Sequence, residues 1–478
     1  MGRKPVGKID AEFDGAEFGD ARLTKRLVRV ATSAANAPGD SFPVISGSDS
    51  ELEGVYRFLS NARVTPQSIL APHIAATLKR GGDADVLVLH DTTGFAFRGG
   101  DTREGLGRLQ RGGRAQSRQG FFGHFAFAVT ADGSRQPLGL LGLKTFVRGE
   151  PPPGPTTGRP CVNRENKEAA RWLELATEVH SLAPNTIHVM DREADSYENH
   201  RQLIAAGIRF VIRGRIGWTR IGERNGVRRT LPELAAQTPI RLTRSVVVSR
   251  RAPNDIGVLN KNNAPRSERK TRLAVRAARM SLPRPHYFSR RDPERNALEI
   301  NVVYVEEVRP PRGVEPISWM LFTTEPIGTP DEVAKIVDAY RARWTIEEFF
   351  KALKTGCAFE KRQLESRAAL CNALAVFSVV AWRILLLRSV SRAAPTRPAE
   401  LVATRRQIEL LRTLPQIDRR FVDVTVPPRA TASDVLLAVA KLGGHIKNNG
   451  PPGWQVIGRG YDSLLLLELG WMARETRQ

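Results

Sequence analysis

Residues 340–356 read YRARWTIEEFFKALKTG, and this stretch decides the fold. It closes a helix predicted from Thr329, which can cap it, with Pro330 suited to the first position and Glu332 completing a capping box. The helix is expected to continue to about Lys354. At about 100° per residue, Tyr340, Arg343, Glu347, Lys351 and Lys354 fall within about 80° of one another. Ile346, Phe349, Phe350 and Leu353 form the apolar side that a buried face requires. One carboxylate therefore shares a stripe with four groups able to contact phosphate. Glu348 lies off the stripe, so helix geometry selects Glu347. The same charges also fit a solvated face with i,i+4 pairing of Glu347 and Lys351, although that reading does not require Tyr340.

Working outward, two apolar strands each end on an aspartate: VLVLHD at Asp91 and IHVMD at Asp191. The carboxyl end of a strand is where an α/β sheet usually opens its active site. An Arg/Gly-rich stretch, Arg98–Gly120, reads as a mobile loop. Strands follow at about Gly123–Thr130 and Pro137–Val147, joined by a turn containing Asp132-Gly133. Helices are expected at 165–182 and about Tyr197–Ala206, and a strand at Arg209–Arg213. From about 214 to 318 helical periodicity fades into β-prone pieces such as Ser245–Ser249 and Leu298–Glu306. Between them the basic run Arg250–Arg279 reads as an exposed loop. Trp319–Thr323 resumes an apolar strand.

The flanks read as helical. Gly19 to about Thr32 places Leu23, Leu27, Val30 and Ala31 on one side and Arg22, Lys25, Arg26 and Arg29 on the other. A second helix is expected at about Ser50–Asn61. After a Pro/Arg-rich linker at Ala393–Arg397, apolar helices are expected at Ser433–Leu442 and Tyr461–Ala473. The expected domains are a helical domain over 1–70, an α/β domain over 71–392 with the β-rich insertion at about 214–318, and a helical C-terminal domain over 393–478.

Composition narrows the function. Among 478 residues, 73 Lys and Arg stand against 50 Asp and Glu, a net charge of +23. An excess of this size points to a polyanion, either nucleic acid or an acidic membrane. The best membrane candidate, Ala373–Val390, is interrupted by Arg383 and Arg388 and falls short of the roughly 20 apolar residues of a spanning helix. It reads as a buried helix, which leaves nucleic acid. Met1–Asp20 has no apolar run and no signal-peptide character. Three widely spaced cysteines form no zinc or disulfide pattern, which suits a reducing cytoplasm. No HExxH or paired His/Cys spacing is present, so a zinc enzyme is not expected. Three convergent carboxylates, Asp91, Asp191 and Glu347, can instead hold two divalent ions for in-line phosphoryl transfer, and hard oxygen ligands suit Mg²⁺ or Mn²⁺.

Tyr340, Arg343, Glu347 and Lys354 have the spacing of the Y-R-E-K signature, and here the chain resembles the DDE insertion-sequence transposases of the IS-four family. HDTTG with Asp91, MDREADSY with Asp191, FGDARLTKRL and YRFLSN near the N-terminus, and KLGGHIKNNGPPGW at 441–454 resemble further family blocks, so the likeness spans almost the whole chain. The resemblance implies a ribonuclease H-like core with a β-strand insertion between Asp191 and Glu347. It also implies the catalytic, metal-binding triad Asp91, Asp191 and Glu347. Partners so implied are double-stranded DNA, as element ends and target, and a second copy of the chain in a paired-end complex, with 393–478 as the dimerisation domain. The activity implied is nicking, hairpin formation, reopening and strand transfer, in the bacterial cytoplasm at the nucleoid. Tyr340, Arg343, Lys351 and Lys354 match phosphate-holding positions. Trp319 matches the position that accepts a flipped base, and equally reads as a core tryptophan. Arg192 and Arg213 match arginines at the DNA surface, and Arg22, Lys25, Arg26 and Arg29 fall in the end-binding block. The Arg98–Gly120 loop matches nothing in that pattern. Two rival readings remain: a ribonuclease H-like nuclease that does not join strands, and a non-catalytic DNA-binding regulator.

Overall fold

Side-chain caps start several of the expected helices, those beginning at Ala21, Asp49, Tyr197, Pro330 and Ala432. In the computed structural model, the residues described are 9–82, 84–98, 102–109, 119–147, 168–215, 221–248, 267–284, 297–314, 316–393, 395–446 and 451–475. They form two compact units, Met1–Thr186 with Arg343–Gln478, and Ile187–Ala342.

The first unit begins with four helices. Asp20 caps α1 (Ala21–Asn36), Ser48 caps α3 (Asp49–Leu59) and Thr65 caps α4 (Pro66–Gly81), each accepting a backbone N–H, with a single turn, α2 (Phe42–Ile45), between the first two. Next come β1 (Val86–Phe97), β2 (Gly107–Arg108), β3 (Gln119–Thr130), β4 (Pro137–Phe146) and α5 (Glu168–Leu182). β3 pairs antiparallel with β1 on one edge and with β2 and β4 on the other.

β1 corrects one expectation. It does not end at Asp91 but stays paired with β3 through Phe97↔Gln119, so Asp91 sits in mid-strand opposite Phe125. Phe95 and Phe97 face the core as strongly as the residues before Asp91, which carries the strand onward. The β3–β4 hairpin forms as expected, though its turn depends on Asp132, which accepts from Thr130 Oγ1 and Ser134 N. The described part of the Arg/Gly-rich stretch is anchored: Arg103 donates to Gln119 Oε1 and to the carbonyls of Arg362 and Leu364. Residues 99–101 and 110–118 lie outside the described residues.

The second unit is a mixed sheet with helices. Its elements are β5 (Ile187–Met190), α6 (Tyr197–Ala205), β6 (Arg209–Arg213), β7 (Ile221–Arg224), β8 (Val227–Thr230), α7 (Leu231–Ala236), β9 (Ile240–Val248), β10 (Arg269–Leu282), β11 (Leu298–Val308), β12 (Ser318–Thr323) and α8 (Pro330–Ala342). β5 and β6 are parallel, and the remaining pairs are antiparallel: β6–β12, β12–β11, β11–β10, β10–β9, β10–β7 and β7–β8. The β-rich character expected between 214 and 318 is thus present. The basic run differs from expectation where it is described. Arg269, Lys270, Arg272, Arg276 and Arg279 are in strand β10, with Arg269 paired to Glu307, Arg276 to Glu306 and Arg279 to Glu299. Cross-strand carboxylates let these cations sit in a ladder rather than a loop. Positions 249–266 lie outside the described residues.

The chain then returns to the first unit with α9 (Trp344–Lys351), a π-helical turn Ala352–Gly356, α10 (Arg367–Ala393), α11 (Arg405–Ile417), α12 (Ala432–Leu442) and α13 (Trp454–Glu475). α10 is the one helix among the described residues long and apolar enough to cross a membrane, and its apolar window is wholly buried. Phe349 of α9 packs on Phe125 and Phe127 of β3. Glycines let α12 and α13 meet backbone to backbone: a Cβ on Gly460 would lie 1.7 Å from the Val439 carbonyl oxygen. Leu464 and Leu465 close the core of this unit, and Leu466 is exposed. The architecture is mixed α/β with helical flanks, compatible with a ribonuclease H-like core.

Candidate active site

The predicted continuous helix is interrupted. α8 stops at Ala342, Arg343 is a turn residue with helical dihedrals, and α9 runs only to Lys351 before the π-helical turn. A constant angular step therefore does not carry as far as Lys354, because a π-turn adds residues per turn.

Within the first unit, Arg343 joins two of the selected acids. Its Nη1 donates to Asp91 Oδ2 at 2.8 Å and its Nη2 to Glu347 Oε1 at 2.6 Å, lengths of charge-assisted bonds. Asp91 and Arg343 are 252 residues apart in sequence. The side chains are 20% (Asp91), 29% (Glu347) and 11% (Arg343) exposed, so the carboxylates keep access to solvent while the guanidinium is mostly enclosed. Asp91 Oδ1 accepts from Thr92 N at 2.8 Å. Behind it, Thr92 Oγ1 meets His124 Nδ1 at 2.9 Å. Burial, with Arg171 nearby, pushes His124 down to about 3, which keeps it neutral.

Lys354 donates to the Gly94 carbonyl at 2.5 Å and lies over the Phe95 ring. Glu360 accepts from Ala96 N at 2.8 Å. These two side chains hold the part of β1 just beyond Asp91. Burial lowers the Lys354 pKa, opposed by Glu360. Lys351 is exposed and pairs with Glu348 at 2.8 Å, not with Glu347. Glu348 also pairs with Arg388 of α10; burial pushes its pKa up, but Lys351 and Arg388 outweigh that and lower it.

Trp344, next to Arg343, is 54% exposed. The sequence reading passed over it. The available signal was an aromatic at about 40° on the polar side of the helical wheel, where solvation gives no reason for one.

In the second unit, Asp191 follows β5 directly, as expected, and its Oδ1 accepts from Glu193 N at 2.6 Å. Arg192 beside it is exposed. Tyr340 departs from the exposed stripe: it is 4% exposed. Trp319 packs edge-on against it at 5.6 Å between centroids, and Arg213 Nη1 reaches its hydroxyl at 3.4 Å. These two cover the ring, so helical periodicity alone could not place it. Trp319 itself is half-buried.

On α1, Arg22, Lys25 and Arg29 are exposed. Arg26 is different: its guanidinium lies against α3, where a Cβ on Gly54 would come within 2.6 Å of Nη1. Arg22 pairs with its capping Asp20 at 3.0 Å.

Among the described residues, no group of three or more His, Cys, Asp or Glu side chains is placed to hold a metal ion. Asp91 and Glu347 nevertheless fit as part of a hard-cation site. Both offer carboxylate oxygens, and one guanidinium already spans the two.

Comparison with protein-family models gives two matches. Residues 8–64 match the family of transposase DNA-binding domains, and residues 160–379 match the transposase DDE domain. The first match takes in Arg22, Lys25, Arg26 and Arg29. The second takes in Asp191, Trp319, Tyr340, Arg343 and Glu347, and begins after Asp91.

Proposed function

We propose that this chain, which carries the DNA-binding and DDE domains of a transposase, binds the ends of a DNA element, cuts the element out there and joins it to target DNA, with Asp91, Asp191 and Glu347 as its catalytic acids. The observation that carries the reading is the Asp91–Arg343–Glu347 bridge. Two of the three acids chosen from sequence share one guanidinium, although they come from distant parts of the chain. A non-catalytic DNA-binding regulator gives no reason for such a pairing beside a matched DDE domain, whereas a nuclease that cuts without joining would share it and is separated by the assay below.

The three carboxylates would hold Mg²⁺ or Mn²⁺, two ions per site. When bound, such ions neutralise the charge that develops on the attacking and leaving oxygens of phosphoryl transfer. The chain's own residues position the acids. β3 pairing and the Thr92 N–H orient Asp91. Phe349 seats α9, and Lys354 and Glu360 fasten the strand beyond Asp91. Arg22, Lys25 and Arg29 supply phosphate and base contacts at the element end, with base contacts giving the sequence preference. Arg192, Arg213, Arg343, Lys351 and Lys354 hold backbone phosphates. Trp319, with Tyr340 packed edge-on against it, takes the base unstacked when the terminal strand bends into a hairpin. Two copies of the chain pair the two ends.

Incubation with the DNA flanking its own gene and Mg²⁺ tests this reading. Cleavage at the element ends, with a hairpin before strand transfer, is expected. Cutting without joining would favour a plain nuclease, and binding without any cutting would favour a regulator.

A further inference from the structure

We propose that Arg343 is the cation that occupies Asp91 and Glu347 until divalent ions arrive, and that its transfer to a DNA phosphate couples ion loading to DNA binding. The inference rests on the reading of these carboxylates as ion ligands.

Two ionised carboxylates drawn together repel each other and need a compensating charge. Here one guanidinium supplies it to both, through Nη1 to Asp91 Oδ2 at 2.8 Å and Nη2 to Glu347 Oε1 at 2.6 Å. The planar fork is suited to that span, while an ammonium group is a single point charge. The oxygens that accept from Arg343 are among those an entering ion needs. Asp91 Oδ1 is meanwhile held by the Thr92 N–H. Ion entry therefore competes with Arg343 for the same oxygens.

A guanidinium displaced from a largely enclosed position, 11% exposed, needs another anionic acceptor. A DNA phosphate is such an acceptor and can be gripped in two places by the same fork. DNA then draws Arg343 away and frees the carboxylates, and ions occupying the carboxylates free Arg343 for phosphate. Linkage requires the two effects to be equal as binding factors. In the absence of DNA the guanidinium stays on both carboxylates and offsets one of their two negative charges, which disfavours ion loading and stray cutting.

The test is Mn²⁺ binding to the full chain, followed by electron paramagnetic resonance, with and without a duplex from the DNA flanking the gene. Wild type is compared with Arg343→Gln, Arg343→Lys and Asp91→Asn. Without DNA, Arg343→Gln should bind Mn²⁺ roughly tenfold more tightly than wild type, within the usual range for coupled sites. Adding the duplex should tighten wild-type binding by a similar factor and leave Arg343→Gln little changed. Arg343→Lys keeps the charge but cannot span both carboxylates, so it should also bind Mn²⁺ more tightly than wild type without DNA. Arg343→Gln leaves two carboxylates uncompensated and can fold poorly. A folded Arg343→Lys with wild-type or weaker Mn²⁺ affinity overturns the proposal in that case too. If Asp91→Asn loses Mn²⁺ while the Arg343 variants bind as wild type, the ligand reading stands and the exchange fails. If Asp91→Asn binds Mn²⁺ as wild type, the ligand reading falls and takes the exchange with it.

Discussion

Replacing Glu12 with Gln should loosen the attachment of the N-terminal segment, and the structure gives the size of the effect. Glu12 lies within the matched DNA-binding region. Its Oε2 accepts from His73 Nδ1 at 2.6 Å, and its Oε1 accepts from Arg80 Nη1 at 2.7 Å. His73 Nε2 accepts the Leu140 backbone N–H at 3.0 Å, so the proton sits on Nδ1 and the ring is neutral. Burial also lowers the His73 pKa, which agrees with that tautomer. Burial pushes Glu12 up, but the bonds from His73 and Arg80 outweigh it and bring it from 4.5 down to about 2. At about 1.4 kcal/mol per pKa unit the whole depression would correspond to about 3 kcal/mol. His73 contributes a hydrogen bond rather than a charge, so about 2 kcal/mol is expected. The folded pKa is depressed, so this stability is present above pH 4.5 and is lost as pH falls towards 2. Urea unfolding of wild type and Glu12→Gln should differ by about 2 kcal/mol at pH 7, with the gap narrowing below pH 4.5. Equal midpoints at pH 7, or a gap that widens on acidification, would refute the reasoning.

Gly460→Ala should destabilise by about 3 kcal/mol, the upper part of the range for overpacking, because its Cβ meets the Val439 backbone. Gly470→Ala, with nothing within 4 Å of the added Cβ, should be neutral or gain up to about 1 kcal/mol from helix propensity; thermal melts compare the two. Asp462 is raised to about 7 by burial and then by Asp40, against the Gly39 N–H and Arg362. Its folded pKa is raised, so the stability it lends is present below the unfolded value of 3.8 and is lost as pH rises through 7. Asp462→Asn should therefore melt higher than wild type at pH 8.5, by on the order of 3 kcal/mol, with the advantage shrinking towards pH 4. Trp319→Ala should accumulate nicked ends while hairpins become scarce, since stacking returns about 1–3 kcal/mol per base. A time course on labelled end DNA, with a melting curve to check folding, reads this out, and equal slowing of both steps in a folded variant would count against a base-holding role.

Much of this was legible in sequence where local rules dominate. The cap at Thr329, the hairpin at Asp132 and the apolar strand before Asp191 all follow from near neighbours. Glu347 and Glu348 also differ in their partners: Glu347 meets Asp91's arginine, while Glu348 is tied to Lys351 and Arg388. Where distant residues decide, the reading stopped short. Strand β1 continues past Asp91 because β3, more than twenty residues on, pairs with it to Phe97. Tyr340 is buried by Trp319 and Arg213, neither of which its own helix reveals. Arg343 looks like a phosphate ligand on the wheel, yet its partner Asp91 is 252 residues away. The cations of β10 read as a loop because the carboxylates that pair with them lie on β11.

The central claim is the identity of the three acids, and cleavage of labelled end DNA by single variants tests it most directly. Asp91→Ala, Asp191→Ala and Glu347→Ala should each lose nicking and strand transfer while keeping specific end binding in a gel shift. Glu348→Gln serves as the neighbour control, since Glu348→Ala would also break its pairs with Lys351 and Arg388. It should still cut. Near wild-type cleavage by any one of the three alanine variants would contradict that residue's place in the triad.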